Sequence, residues 1–332
     1  MKIIKIAFGT ALAIILANFF SLAYSPSAGI ITLLTIQDTT KETITISFKR
    51  LLAFCIATVL SFGIFQMLGF TPVSFGVFLL FFVWICYHFK LQDAIAMNAV
   101  LTTHFLIEQN MSFSLIGNEL FLLIIGAGIG TLLNLYMPSK IKQIRDTQAT
   151  LEADIRSILS HISDQIKNAS KMDVTPECFT SLDAHIQTGI KHAYTNMNNT
   201  FSQENQYFLS YMQMRKQQYQ VLKNIYDKIL SLEHIPSQAN DIANFINHIA
   251  LSLNETNNAN SLLMECNSLF EMFQSSELPV SRQEFESRAV LYMILKDFEY
   301  FLRIKQDFAM SLTEEQKIKF WNQSEGGKAI EK

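Results

Sequence analysis

Residues Ile31–Arg50 read ITLLTIQDTTKETITISFKR, with Gln37, Asp38, Lys41 and Glu42 set between two runs as apolar as a membrane interior. Upstream, no Asp, Glu, Lys or Arg occurs from Ile6 to Gln37, and downstream none occurs from Leu51 to Phe89. Further uncharged runs cover Ala94–Ile107 and Leu120–Ser139. A bilayer core takes roughly 20 residues of helix, so the first two runs are too long for a single crossing each. Both contain turn-forming breaks, SPS at Ser25–Ser27 and GFTP at Gly69–Pro72. Splitting there predicts six membrane segments, near 3–23, 27–47, 50–68, 73–89, 93–110 and 118–137. The second reaches membrane length only by running on through the polar knot, because Ala28–Ile36 alone is too short. The fifth is also short and carries Asn98 and His104.

Six crossings put alternate loops on opposite sides of the membrane, and the basic residues test that arrangement. Lys2, Lys5, Lys41, Lys49, Arg50, Lys90, Lys140, Lys142 and Arg145 all fall on one side, and the other side has none. Under the positive-inside rule, the N-terminus and everything after Lys140 are cytoplasmic. Two lysines precede the first apolar stretch, but equally apolar segments follow it as far as Pro138, so it reads as a first membrane helix rather than a cleaved signal.

Composition divides the chain at the same place. Met1–Lys140 holds 7 Lys+Arg and 5 Asp+Glu, whereas the remainder holds 19 and 24. The second part is mildly acidic, which argues against nucleic acid as a partner, since phosphate binding needs surplus cations. The four cysteines, Cys55, Cys86, Cys178 and Cys266, show neither CxxC nor Cys/His ligand spacing, so no disulfide framework or metal is expected. No nucleotide-binding or catalytic motif implies a cofactor or an enzyme.

The predicted segment lengths run long, short, long, and then long, short, long again. Three helices per half, entering from opposite sides, form a possible 3+3 inverted repeat, and short interrupted segments at matching positions mark transporter binding sites. Two interfacial helices are the plainer reading of the same pattern. Gly126 and Gly130 form a GxxxG, and Gly9, Ala13 and Ala17 continue that spacing on the first helix, which points to close helix packing.

From Ile141 onward the pattern is helical. Ile141, Ile144, Leu151, Ile155, Ile158, Ile162 and Ile166 form one apolar stripe. Thr175-Pro176 opens a second helix with Phe179, Leu182, Ile186, Ile190 and Met197, and Ser281–Glu284 is a capping box opening a long final helix with Phe285, Leu291, Leu295 and Phe298 facing inward. The histidines are dispersed. Cys178, His185 and His192 fall at seven-residue steps, too wide for a strong metal signal. The expected architecture is all-α: a transmembrane domain at 1–140 and a cytoplasmic helical bundle at 141–332.

Two stretches carry a family resemblance. SAGIITLLTIQDTTKETITISFKRLLAF resembles the membrane signature of the aromatic acid exporter family, relatives of fusaric acid resistance proteins. LPVSRQEFESRAVLYMILKDFEYFL resembles the C-terminal domain attached to that family in Gram-positive bacteria. The resemblance covers roughly 1–140 and 145–310. It implies export of small aromatic carboxylic acids across the bacterial plasma membrane. Related exporters have about twice as many membrane helices, which implies a homodimer or higher homo-oligomer here.

Physical chemistry selects the candidate residues. A carboxylate substrate needs a permanent cation, and Arg50 offers a two-pronged guanidinium; as an anchor at the cytoplasmic start of a helix it would serve equally well. Gln37 and Thr39, with His104 opposite, would line a wet cavity where the helix breaks at TIQDTTKE. Asp38, Glu42, Asp93 and His104 are the candidates for proton coupling, because ionisable groups near the bilayer tend to be functional; the three carboxylates also fit solvated loops. The contrasting reading is a non-transporting scaffold or sensor whose bundle binds a partner, and a passive channel has the same sequence features.

Overall fold

A computed structural model describes residues 2–138, 140–168, 176–199, 206–232 and 235–325. It separates into two compact units, Met1–Ser139 with Asn198–Phe201, and Lys140–Met197 with Ser202–Lys332. Among the described residues every regular element is helical.

In the N-terminal unit, α1 (Lys2–Phe19) presents Gly9, Ala13 and Ala17 inward, the small-residue stripe that lets backbones approach. Next comes α2 (Pro26–Thr35), opened by Pro26 in its first turn, and then α3 (Thr40–Leu68). Gly69, at φ 74°, ends α3 in a conformation that glycine adopts freely. Thr71 caps α4 (Pro72–His88) by accepting from Ser74 N. A 3-10 turn, Gln92–Ala94, leads into α5 (Ile95–Glu108), and Ser112 caps α6 (Phe113–Leu135). Helix α2 packs between α1 and α6. A Cβ at Gly126 would lie 2.6 Å from Ala28 O, and one at Gly130 would lie 2.8 Å from Thr35 Cβ. The GxxxG of α6 is therefore the seat of α2.

Three of these helices, Lys2–Phe19, Thr40–Leu68 and Phe113–Leu135, are long and apolar enough to cross a membrane, and Pro26–Thr35 and Pro72–His88 are shorter apolar helices. Only 17%, 28% and 39% of the three long spans is buried in the protein. The rest of their apolar surface is stable only against lipid.

The segment boundaries in the opening stretch need correction. No helix covers 27–47. Helix α2 stops at Thr35, Ile36 is extended, and a new helix starts at Thr40 and continues without a break to Leu68. The reason is a cap: the Thr39 side chain accepts from Glu42 N at 3.3 Å, at T-x-x-E spacing. Lys49 and Arg50 do not interrupt α3, because each finds a partner beside it: Lys49 lies 3.4 Å from Asp93, and Arg50 bonds back to α2.

The C-terminal unit comprises α7 (Ile141–Asn168), α8 (Pro176–Asn199), α9 (Gln206–Ile229), α10 (Ala239–Ser252), α11 (Asn260–Ser275), α12 (Arg282–Ser311) and α13 (Glu314–Glu325). Helix α7 packs on α10 and α9, and α12 on α9 and α11. The α7 stripe is buried from Ile144 to Ile166, with Ile141 exposed outside it. Phe179, Leu182 and Ile186 are buried on α8, while the expected cap Thr175 lies outside the described residues, as does His234. Ser281 caps α12 as read, and Leu291, Leu295 and Phe298 are fully buried. Phe285 is the exception at 61% exposure, since the first turn of α12 projects beyond its packing partners. Because this unit has one continuous core of its own, residues 141–332 expressed alone are expected to give a helix-dominated circular dichroism spectrum and a cooperative melt. A random-coil spectrum would show that the core cannot close unaided.

That core contains a buried lysine. Lys305, 5% exposed, is pushed down to about 7, first by burial and then by Arg215, against the pull of Glu152 and Glu255. The unfolded chain therefore binds more protons than the folded one between pH 7 and the ordinary lysine value, and stability rises with pH through that window. Lys305→Met is expected to flatten this slope and to stabilise the protein at pH 7 and below by roughly 4 kcal/mol. Chemical denaturation at pH 6.5 and pH 9.5 checks it, and an unchanged slope would contradict it.

Candidate functional site at the two ends of a short buried helix

Helix α2 is ten residues long, so it rises only about 15 Å, and both of its ends lie against buried polar groups. Chain breaks at membrane depth occur where the freed backbone groups have partners in the protein.

Arg50 stands at the C-terminal end. Its side chain is brought there by α3, and the residue is 3% exposed. Nη1 donates to Thr35 Oγ1 at 2.6 Å and Nη2 to the Leu34 carbonyl at 2.9 Å. A cation here meets carbonyls left open by the helix end and complements the helix dipole. Arg50 Nε is buried without a hydrogen-bond partner, and so is Asn98 Oδ1, although Asn98 Nδ2 donates to the Arg50 carbonyl at 3.3 Å. Just beyond, Asn134 of α6 donates to Thr43 Oγ1 at 2.6 Å and to the Gln37 carbonyl at 3.1 Å, pinning the break.

A carboxylate–imidazole pair stands at the N-terminal end. His104 Nδ1 lies 2.6 Å from Glu119 Oε2; His104 is 5% exposed and Glu119 is fully buried. His104 Nε2 faces Ser27 Oγ, in the first turn of α2, at 3.4 Å. Asn118 Nδ2 donates to the other oxygen of Glu119 at 3.0 Å. The ring of Tyr24 stacks on the imidazole, with centroids 4.0 Å apart and planes 5° from parallel, and its hydroxyl donates to Glu108 Oε1 at 2.7 Å. Tyr24 holds this position at φ 58°, a strained conformation for a residue with a side chain.

The order Ser27, His104, Glu119 is that of a nucleophile, base and acid. However, the serine lies beyond ordinary hydrogen-bond reach of the imidazole, is itself buried, and has one face of its base covered by Tyr24. What the geometry shows is a buried polar pair whose groups are partnered inside the protein. An isolated charge is costly in this desolvated place, so carboxylate and imidazole stabilise each other, and moving one proton changes the charge of the whole site.

The candidates read from the sequence therefore fall in different places. Arg50 and His104 are not opposite one another across one cavity; they lie at opposite ends of α2, about 12 Å apart along its axis. Thr39 is a buried cap and Gln37 is half-buried at the break. Asp38 is exposed and pairs with Lys2 at 2.6 Å, Glu42 is exposed, and Asp93 is exposed beside Lys49. Glu119 is not among the residues singled out from the sequence, because the predicted segment 118–137 puts it at the very edge of a crossing. Helix α6 starts at Phe113, which puts Glu119 almost two turns inside it. Among the described residues no group of three or more His, Cys, Asp or Glu side chains could hold a metal; His185 pairs with Asp154, and Cys178 is exposed.

Comparisons with known proteins match both units. Residues 1–137 match the model "Aromatic acid exporter family member 1", and residues 142–306 match "Putative aromatic acid exporter C-terminal domain". The chain is similar to "Uncharacterized protein YqjA" of Bacillus subtilis (strain 168), 31% identical over 314 residues that cover 92% of this chain and 95% of the relative. A crystal structure of a "putative membrane protein from Clostridium difficile 630" is 31% identical, with a TM-score of 0.47, over 51% of this chain and 99% of the other. With apolar helices that require lipid and both family models matched in order along its length, the chain is a member of the aromatic acid exporter family.

Proposed function

We propose that this protein exports small aromatic carboxylic acids across the plasma membrane, driven by protons. The observation that carries the reading is α2 itself: a ten-residue helix, seated on the glycines of α6, with a buried arginine at one end and a buried carboxylate–imidazole pair at the other. Short or discontinuous helices of this kind form substrate and ion sites in transporters. Arg50 receives the substrate carboxylate through Nε, which lacks a partner, while its other nitrogens hold it against α2. Glu119 and His104 take up and release the coupling proton. Proton movement at one end of α2 and anion release at the other are linked because α2 moves as one rigid piece. In this reading both termini are cytoplasmic, in keeping with the positive-inside rule for the basic residues of the loops, and the chain works as a homodimer. Purified protein in liposomes, given an imposed pH gradient, should move radiolabelled 4-hydroxybenzoate against its concentration gradient. Movement that ignores the pH gradient would leave a passive channel, and no movement at all would favour the scaffold reading.

A further inference from the structure

Residues 20–25, FSLAYS, join α1 to α2 and close over the carboxylate–imidazole pair. They contain no glycine, yet the backbone is left-handed at Ser21 (φ 54°) and at Tyr24 (φ 58°). Ser21 has an ordinary reason for this, because it ends a helix. Ser21 N and Leu22 N donate back to the Asn18 and Ala17 carbonyls at 2.9 and 3.0 Å, satisfying the last turn of α1. Tyr24 has no such reason. It ends no helix, and its bulky side chain disfavours this region. Contacts with its surroundings must hold it there.

Asn118, in the second turn of α6, supplies the first of them. Its Oδ1 accepts from Ala23 N at 2.8 Å, and its Nδ2 donates to the Ala23 carbonyl at 3.1 Å and to Glu119 Oε1 at 3.0 Å. One amide group thus ties the backbone just before Tyr24 to the buried carboxylate. The Tyr24 ring supplies the second, lying flat on His104 with planes 5° apart. The third is the bond from the Tyr24 hydroxyl to Glu108, an exposed residue whose hydrogen bond competes with water and adds little. The ionisable groups on this side of the imidazole are therefore Glu119 from α6 and, beyond Tyr24, Glu108 from α5.

We infer that residues 20–25 form a gate over the buried pair, with the Tyr24 ring as its shutter and Asn118 as the positioning residue that links the gate to Glu119. The inference rests on the proposed role of the pair in taking up and releasing the coupling proton. Backbone strain at Tyr24 favours opening, whereas the Asn118 bonds and the ring stack favour closure, so two conformations are set against each other. When Tyr24 leaves the left-handed region, its ring swings off the imidazole and the His104–Ser27 contact gains a route to solvent. The same movement draws Ala23 away from Asn118, so opening and the hydrogen bonding of Glu119 change together. The connection carries no basic residue, and the positive-inside rule puts it on the outer face. A gate there lets the pair exchange protons with the outside in one conformation and shuts it off in the other.

The test uses full-length protein in liposomes and reads exposure without transport, as acylation of His104 by diethyl pyrocarbonate at pH 7 followed by mass spectrometry. Tyr24→Ala and Asn118→Ala are each expected to speed acylation about tenfold, as when a minor open state becomes the major one. Tyr24→Phe keeps the shutter and should match the wild type. Cys86, buried in the separate α3–α4 core, should stay unreactive toward N-ethylmaleimide in every variant. Labelling of Cys86 together with His104 would show a loosened bundle instead of a gate and overturns the inference. A second variant carries Ala23→Cys with Asn118→Cys. A short, reducible bifunctional thiol reagent then replaces the hydrogen bonds with a covalent tie, which should protect His104 and stop export until it is reduced. Unchanged acylation in Tyr24→Ala, or export that continues through the tied gate, overturns the inference. Failure of the proton reading looks different: His104 responds as expected, yet Glu119→Gln exports at the wild-type rate. That result supports the gate and removes the pair from proton transfer.

Discussion

Glu119→Gln is expected to lower proton-driven export of 4-hydroxybenzoate by about 100-fold or more, the range for removing a group that transfers a proton, with the protein still at near wild-type abundance in the membrane. The substitution keeps shape and most hydrogen bonding: the amide oxygen still accepts from Asn118 Nδ2 or from His104, which lie 3.0 and 2.6 Å from the carboxylate. What it removes is the ability to carry a charge and release it. Helix α6 is seated on α2 by Gly126 and Gly130, well away from this change, so the fold has no reason to fail. Downhill exchange of labelled for unlabelled substrate should survive in Glu119→Gln, because exchange needs no net proton movement. His104→Ala should shift the pH dependence of export. Tyr24 covers one face of the same imidazole and its hydroxyl bonds to Glu108, so Tyr24→Phe, which breaks only the bond to Glu108, serves as the control expected to behave as wild type. Pump-like uptake in Glu119→Gln at the wild-type rate would remove the carboxylate from the mechanism.

Much of this site was legible in the sequence and part of it was not, for identifiable reasons. Periodicity locates the stripe of α7, and the breaks at SPS and GFTP locate the ends of α2 and α3, because proline and glycine act on the local backbone. The break inside TIQDTTKE was visible as polarity, but its form follows from Thr39 and Glu42, a capping pair as readable as the one at Ser281–Glu284. Glu119 and Lys305 were hidden for a different reason. Each is a charge buried through partners distant in sequence, with His104 fifteen residues away in one case and Glu255 fifty in the other. A single carboxylate or ammonium has the same letter whether it is solvated or enclosed. Phe285 shows the converse error: a heptad-like position is buried only where a neighbouring helix extends that far.

Arg50 is the residue whose two readings give the most different results. As an anchor it would lie in the headgroup region, and Arg50→Gln would disturb insertion while leaving transport per molecule intact. Its actual place, 3% exposed with its guanidinium on Leu34 O and Thr35 Oγ1, already makes a loose surface role untenable. A purely structural role remains, as a cap on the end of α2. Arg50→Lys separates capping from substrate binding. Lysine keeps the charge at the helix end and can still donate to Leu34 O, so abundance should be close to wild type. It lacks the fixed fork that lets one side chain hold α2 and grip a carboxylate at the same time. We expect the substrate concentration for half-maximal export to rise roughly 10- to 100-fold, matching the loss of one charge-assisted hydrogen bond at about 1.5–3 kcal/mol, with little change in maximal rate. Arg50→Gln should lose export altogether and lower the melting temperature, because the carbonyl end of α2 then has no cation. If the Lys variant instead shows the wild-type concentration dependence, capping alone accounts for Arg50, and the carboxylate must be bound elsewhere along α2.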